Sequence, residues 1–565
     1  MATLVVPGVH VEARFDVLPP LPAPSGVVGV AAIVDRPPPS SNLLVGVTRV
    51  AEVATVLGPG TAASAPEIIH ALGNGASEVV ISAVNGGSAG SRALLNAESN
   101  PAVILRARSN GTWSQEVAVD VRSVTNSDGD PVRVSLRIFR SGQVVEEFPD
   151  LVVEAGSHQD LFDTINTRSI YVVALDPSLG GATPAPGSYV LPTDGSGVVV
   201  PVENATDELF TLFPEPGVDP TGVTVQIESP AGDNVRVRVF RDGAQQEEFS
   251  RLTMNPDSAN YLPAVLLRDS ATVHVRQASS LAGADRLPAA ITPTSLAGGV
   301  SPSANDYQAA IDRLGDDSRI NLVLASVEPT RTDALTRTVH QSLVAHAVAQ
   351  ADAGSPRIAF GSVTPPEQRD LDRIRDHAAA VRNRRFVLVS PAGAAGAVCG
   401  AIARTNPEVS PTFKTVPLFG IAAAAYSESE LYRLLGPTHN LVVVQQRTGR
   451  GVIVLRGLDT SGDQISVTRV ADACVREVKA ISENFIGELN SADARTALRE
   501  QIVATFTRME RGGQLVPSTD GSDPAFLVDV YSTQLDFAQG IVRIDIAVRP
   551  VRAIDFIYAT IRVKN

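Results

Sequence analysis

Ile465-Ser-Val-Thr-Arg-Val470 opens the stretch that decides the fold, which continues through Phe485-Ile-Gly-Glu-Leu-Asn-Ser491, Gly512-Gly-Gln-Leu515 and Ala525-Phe-Leu-Val-Asp-Val530 to Val563. Alternating apolar and polar residues at 465–470 predict a strand, and the spacing of Val475, Val478, Ile481, Phe485, Ile486 and Leu489 predicts a helix after it. Asn490-Ser491 interrupts the pattern. Ser491 then fits the N-cap of a second helix with apolar positions Ala494, Leu498, Ile502, Val503 and Phe506, ending at Gly512-Gly513. Strands are predicted over 525–530, 540–548 and 554–563. The last of these either completes its own sheet or pairs with another chain.

Upstream, strand and helix patterns alternate. Arg319–Ala325, Arg357–Gly361 and Arg385–Ser390 read as strands, with helices over 333–351, 367–382 and 395–404. Near the start, strands at 26–34, 43–47 and 78–84 flank a helix over 65–73. Such alternation gives a mostly parallel sheet covered by helices. Between these halves lies an internal repeat at one constant offset: Val134–Phe148 matches Val235–Phe249, with Phe139, Gly142, Glu146, Glu147 and Phe148 matching Phe240, Gly243, Glu247, Glu248 and Phe249. Each copy predicts a hairpin turned by Ser-Gly or Asp-Gly, then a helix and a strand over 157–173 and 257–275. Adjacent residues on a strand face opposite sides, so the Glu-Glu pairs read as solvated hairpin edge rather than a chelating pair.

The expected fold class is α/β and α+β multidomain. A split α/β core over 26–100 plus 300–460 carries the parallel-type sheet. Two inserted, repeated small β-rich domains occupy 101–205 and 206–299, an α+β domain occupies 461–565, and an extended Pro-rich arm with a short strand around Val9 and Val11 occupies 1–25.

The C-terminal block resembles the corresponding domain of contractile tail sheath proteins, the family shared by contractile-tailed phages, R-type bacteriocins and phage-tail-like injection systems. The residues that carry it are Ile465–Asp472, then Phe485–Ser491 where the family tends to have F-x-x-E-P-N, the Gly512–Leu515 turn, and the closing phrase Ile546–Ile557. Pro7-Gly-Val-His-Val-Glu12 is similar to the P-G-V-Y-V-E opening of that family. Gly29–Ile33, Pro391–Gly396, Arg404-Thr-Asn-Pro407 and the loop from Pro411 to Pro417 extend the resemblance over most of 1–100 and 300–565. It implies a homo-oligomer built as a helical stack of hexameric rings around an inner tube protein, bounded by baseplate and terminal cap proteins, without a cofactor. It also implies inter-subunit strand exchange through Val5, Val9 and Val11 at one end and Ile554, Phe556, Ile557, Ile561 and Val563 at the other. One chain carries both ends of the pattern, whereas type VI secretion sheaths divide it, which favours a phage-like tail or a phage-derived injection system.

At 565 residues the chain has room for three or four domains. Its net charge of −14 argues against nucleic acid or an anionic membrane as the main partner. There is no run of about 20 apolar residues and no basic leader, so the expectation is a cytoplasmic protein carried within a particle, with no direct membrane insertion. Cys399 and Cys474 lack metal-ligand spacing and read as buried small hydrophobes. No Walker loop, His-Glu-x-x-His or Cys-x-x-Cys occurs. The one formal catalytic hit is Gly86-Gly-Ser-Ala-Gly90, a possible nucleophile elbow at Ser88 if a helix follows over 92–97, with His340, His346 and His377 as candidate bases. No acid and His pair is recognisable, His340 and His346 fall nearly opposite around a helix, and a flexible Gly/Ser loop explains the same letters. The alternatives to a structural subunit are thus a serine hydrolase on the α/β domain and a ligand-binding module on the two β repeats.

Overall fold

Val27–Ala32 is buried along its whole length, as a strand covered on both faces must be. In the computed structural model it lies third in an eight-stranded sheet ordered Leu44–Val47, Glu78–Ala83, Val27–Ala32, Leu322–Ala325, Ile358–Ser362, Phe386–Ser390, Val442–Arg447, Gly451–Val454. The structure describes residues 26–36, 44–125, 127, 131–153, 157–177, 187–190, 200–203, 208–215, 218–231, 234–256, 258, 260–279, 287–328, 332–435 and 440–556. These form two compact units, one over 470–551 and the other over 26–469 with 552–556.

The inner strands of the large sheet all pair in parallel, and the two outermost strands are antiparallel to their neighbours. Helices cover both faces. On one, Pro66–Gly73 packs against Ala395–Ala403, and the approach is so close that a Cβ at Gly396 or Gly400 would run into the carbonyl of Glu67 or Ala71. On the other, Ala304–Arg313, Asp333–Asp352 and Leu371–Ala380 bury Tyr307, Ile311, Val339, Leu343 and Ile374. Several helices escape the sequence reading, among them Val50–Leu57, Thr61–Ser64, Ala304–Arg313, Glu428–Leu434 and Gln534–Ala538.

The two copies of the repeat match in structure as they do in sequence. Pro131–Arg140 pairs with Gln143–Leu151, and Asn234–Arg241 with Ala244–Leu252. Both hairpins turn on residues with positive φ, Ser141-Gly142 and Asp242-Gly243. A helix and a strand follow each, Leu161–Arg168 with Val172–Leu175 and Leu262–Asp269 with Val273–Gln277. The Glu pairs differ from the expected solvated edge. Glu146 accepts hydrogen bonds from Ser169 Oγ (2.6 Å) and the Ile170 N–H (2.8 Å). Glu247 accepts the same pair from Ser270 Oγ (2.7 Å) and the Ala271 N–H (2.9 Å). Each glutamate thus staples its hairpin to the turn after the helix, and only Glu147 and Glu248 point outward.

The copies are nested. Ile291–Ser295 pairs with Val117–Thr125 of the first copy, whereas Gly187–Val190 takes the equivalent place beside Val223–Ala231 of the second. Gly187–Val190 and Val200–Glu203, placed by sequence in the first copy, therefore pair within the second. Two further expectations are corrected. Residues 465–470 are not a strand but the first turns of a helix, Ile465–Glu483. The stretch after Gly90 is not a helix but the strand Ser91–Leu95, paired with Pro101–Ala107.

Glu67 lies buried on the helix Pro66–Gly73, where burial pushes its carboxyl up to about 7 against the pull of a short hydrogen bond from Ser326 Oγ. The folded state therefore holds this proton more tightly than the unfolded one. The stability it contributes is full below the unfolded value near 4.5 and is lost as pH rises through 7. Glu67→Gln keeps the acceptor without the charge. It is expected to raise stability at pH 8 by about 3 kcal/mol and to change little at pH 4.5, as read from urea-unfolding midpoints at the two pH values.

Candidate functional site

Ser491 caps the helix Ala492–Arg511 by accepting the Ala494 N–H at 3.1 Å, and the helix ends at Gly512. Its buried face carries Leu498, Ile502, Phe506 and Met509, at the spacing of one helical stripe. Val470, Cys474 and Ile481 of the preceding helix join the same core. On this layer sits an antiparallel pair of strands, Phe526–Tyr531 and Arg543–Val548, registered Phe526 to Val548 through Tyr531 to Arg543. Phe506 meets Phe526 edge to face at 5.5 Å. The connection between the strands is locked at Asp536. Arg543 donates to both its oxygens (2.9 and 2.8 Å) and Thr533 Oγ1 donates at 2.6 Å, which holds the carboxyl well below the usual range.

This sheet has only two strands among the described residues. At its end the second strand is continued by 514–516, through Val516 N–H to the Arg549 carbonyl and Val551 N–H to the Gln514 carbonyl. Among the described residues its outer edge along 543–548 carries no further strand. Among the described residues the outer edge of Phe526–Tyr531 carries no further strand and is met by Arg499, whose Nε donates to the Val528 carbonyl at 3.2 Å. Beside the ribbon runs a groove of about 590 Å³ lined by Arg499, Val503, residues 526–529 and 545–547. Leu527 is 60% exposed on its open face. A two-stranded ribbon with backbone groups free on its edges is a template for further strands.

Of the residues proposed for exchange, Val5, Val9, Val11, Ile557, Ile561 and Val563 lie outside the described residues. Ile554 and Phe556 belong to an extended segment, 552–556, that joins no strand and lies on the α/β unit, where they are 79% and 62% exposed. The strand expected from 554 is thus absent over its described part.

Ser88 does not sit on a nucleophile elbow. It bridges Val300 in backbone pairing, its hydroxyl donates to the Gly298 carbonyl at 3.1 Å, and a strand follows it. The histidines do form an arrangement that sequence reading missed. His377 Nδ1 lies 2.8 Å from Glu367 Oε2, and its Nε2 lies 2.9 Å from His340 Nδ1. An acid and His pair therefore exists, joined by a second histidine. Burial holds His340 far below its usual value, reinforced by His377. Burial works against ionised Glu367, but hydrogen bonds from His377, the Thr364 N–H and Arg337 outweigh it and hold the carboxyl low. Burial and the neighbouring Arg357 bring His346 down to about 4. All three groups of the Glu367–His377–His340 chain are buried, so it serves the core. The signal was available only in three dimensions, since its members lie on separate helices. Among the described residues no His, Cys, Asp or Glu cluster is arranged to hold a metal, and no helix is long and apolar enough to cross a membrane. Cys399 and Cys474 are both buried.

No family profile and no curated protein matches the chain. Among solved structures it is similar to the sheath tail protein of Desulfitobacterium hafniense, at 14% identity and a TM-score of 0.45 over 97% of each chain. It is also similar to the sheath tail protein of Listeria innocua, at 12% identity and a TM-score of 0.45 over 94% of this chain and 93% of that one. The helical sheath of the anti-feeding prophage in its contracted state matches 48% of this chain and 78% of its own, at 18% identity and a TM-score of 0.35. The solved structures that this chain resembles are sheath proteins of tail-like, contractile systems.

The ribbon separates residues that hold the unit together from residues it presents. Phe506→Ala should cost about 3–5 kcal/mol, since it empties a fully buried aromatic site. Leu527→Ser should change stability by less than about 0.5 kcal/mol. Denaturant unfolding followed by circular dichroism checks both.

Proposed function

We propose that the chain is the structural subunit of a contractile sheath. Copies polymerise as a helical tube around an inner tube and pass from a metastable extended lattice to a compact one, driving the inner tube through a target envelope. The observation that carries this reading is the ribbon of Phe526–Tyr531 and Arg543–Val548 with open edges, found within the block whose phrases resemble sheath proteins.

The physical requirements of such a subunit are few. Contacts between copies must be heterologous and non-closing, because these generate tubes. The copies must also stay joined while those contacts slide. A strand donated to a neighbour's sheet does this, since backbone hydrogen bonds hold it while its linker flexes. In this reading the donated segments are the arm through Val5, Val9 and Val11 and the terminal stretch through Ile554, Phe556, Ile557, Ile561 and Val563, and the open ribbon receives them. About five backbone bonds at roughly 1 kcal/mol each would make one donated strand worth several kcal/mol. Contraction then draws on energy stored at assembly, with no nucleotide hydrolysis. Hexameric rings, an inner tube, a baseplate and a terminal cap complete the particle, which forms in the cytoplasm of the producing cell. The inserted copies face outward and are dispensable for contraction.

Negative-stain electron microscopy of the purified chain, with sedimentation, tests the reading. Striated hollow tubes or stacked rings are expected. Removal of residues 1–15, or of 550–565, should abolish them while leaving a folded subunit. Intact tubes from either truncation would sink strand exchange.

A further inference from the structure

The segment 552–556 makes no sheet, yet it is held closely. Gln464, which is buried, pairs with Ala553 in both directions: its Nε2 donates to the Ala553 carbonyl (3.0 Å) and its Oε1 accepts the Ala553 N–H (2.8 Å), as a partner strand would. Arg552 Nη1 donates to Asp463 Oδ1 at 2.8 Å, and Arg384 Nη2 holds the other oxygen at 2.9 Å. Asp555 takes Thr412 Oγ1 at 3.5 Å and Arg456 Nε at 3.4 Å, and the Arg456 guanidinium lies 5.0 Å over the Phe556 ring.

The receiving loop is held by bonds of its own. Asp459 Oδ1 accepts the backbone N–H groups of Ser461, Gly462 and Asp463 (2.9, 2.9 and 3.1 Å), and Thr460 Oγ1 donates to Val381 and Asn383 carbonyls (2.8 and 3.0 Å). Its shape thus depends on Asp459 and on the α/β core, and none of these bonds involves the tail.

We propose that residues 552–556 are a strap which each copy keeps on its own α/β unit, so that the segment exchanged with a neighbour begins beyond Phe556, from a fixed anchor. Thr412, Arg456, Asp463 and Gln464 are its positioning residues. This rests on the sheath reading and deepens it. A pull on an unanchored tail would reach the strand Arg543–Val548 through residues 549–551 and peel it from its partner one hydrogen bond at a time. With the strap in place the same pull is taken by Gln464, Asp463 and Arg456, whose bonds are loaded together. Ile554 and Phe556, exposed on the strap, then stay with their own copy, and the donated stretch of the proposed function shortens to the residues after Phe556.

The test uses the full chain in three forms: unaltered, with Gln464→Ala and Arg456→Ala together, and with Thr412→Cys and Asp555→Cys joined by a short bifunctional thiol reagent. In unassembled subunits, trypsin should cut after Arg552 about tenfold or more faster in the alanine variant than in the unaltered chain, as followed by mass spectrometry. Equal cleavage overturns the strap. In assembly, the bridged form should give tubes as the unaltered chain does, because the strap never has to leave, whereas the alanine form should give fewer and shorter ones. Failure of the bridged form to assemble, or unaltered tubes from the alanine form, overturns the anchor role while leaving the sheath reading intact. An unaltered chain that forms no tubes counts against the sheath reading, and the strap is then decided by protection of Arg552 alone.

Discussion

A strand edge carries a row of backbone N–H and C=O groups that must find partners, and the way each part of this chain meets that demand accounts for most of its architecture. The large sheet closes itself off. Its parallel strands are flanked by short antiparallel ones, Leu44–Val47 and Gly451–Val454. The second of these is covered again by the loop at 413–416, with Phe413 N–H bonding the Val454 carbonyl and Val416 N–H bonding the Val452 carbonyl. The inserted sheets end in hairpin strands that carry outward Glu147 and Glu248, and the first also carries Pro149, which has no N–H to offer. Among the described residues the C-terminal ribbon has none of these devices over 543–548. It is this edge that the proposed strand exchange uses.

The repeated insertions show what a short, local pattern can and cannot tell. The hairpins at 134–148 and 235–249 were legible because turn residues and alternating valines fix both register and turn type. The Glu-Glu pairs were misread as wholly solvated, since period two says only that one of each pair faces inward. It does not say that Ser169 and Ser270 wait at the right height to bind it. The nesting of the copies was hidden as well. Ile291–Ser295 returns to the first copy after the whole of the second has passed, and no local feature announces a strand's partner at that distance.

Two elements were read as the wrong type, each for a definite reason. Ile465–Val470 is β-branched and alternates over six residues, which is too short a window to separate period two from period 3.6. Burial of Ile465, Ser466, Thr468, Arg469 and Val470 shows that nearly every side there is covered, so the apparent polar face was not a solvent face. Ser91–Leu95 holds good helix formers, yet pairing with Pro101–Ala107 overrides propensity. For the candidate site the legible part was the helix from Ser491 to Gly512 and the two strands that pack on it. The strap was illegible, because its partners at 412, 456, 463 and 464 come from loops whose conformation no periodicity encodes.

In the proposed sheath, charge narrows the kind of contact through which copies of this chain assemble. A net charge of −14 makes each copy repel the next at long range, so surface ion pairs between copies would have to work against that field and would be screened by salt. Backbone hydrogen bonds along a strand edge carry no net charge and are indifferent to it. Apolar contacts around an exposed Leu527 are equally insensitive. Ion pairs retain a use where both partners belong to one copy and are partly sheltered, as between Arg456 and Asp555 on the strap, or Arg543 and Asp536 in the ribbon's connection. Fixed charges thus hold the shape of the folded chain, and in the proposed sheath neutral edges join one copy to another.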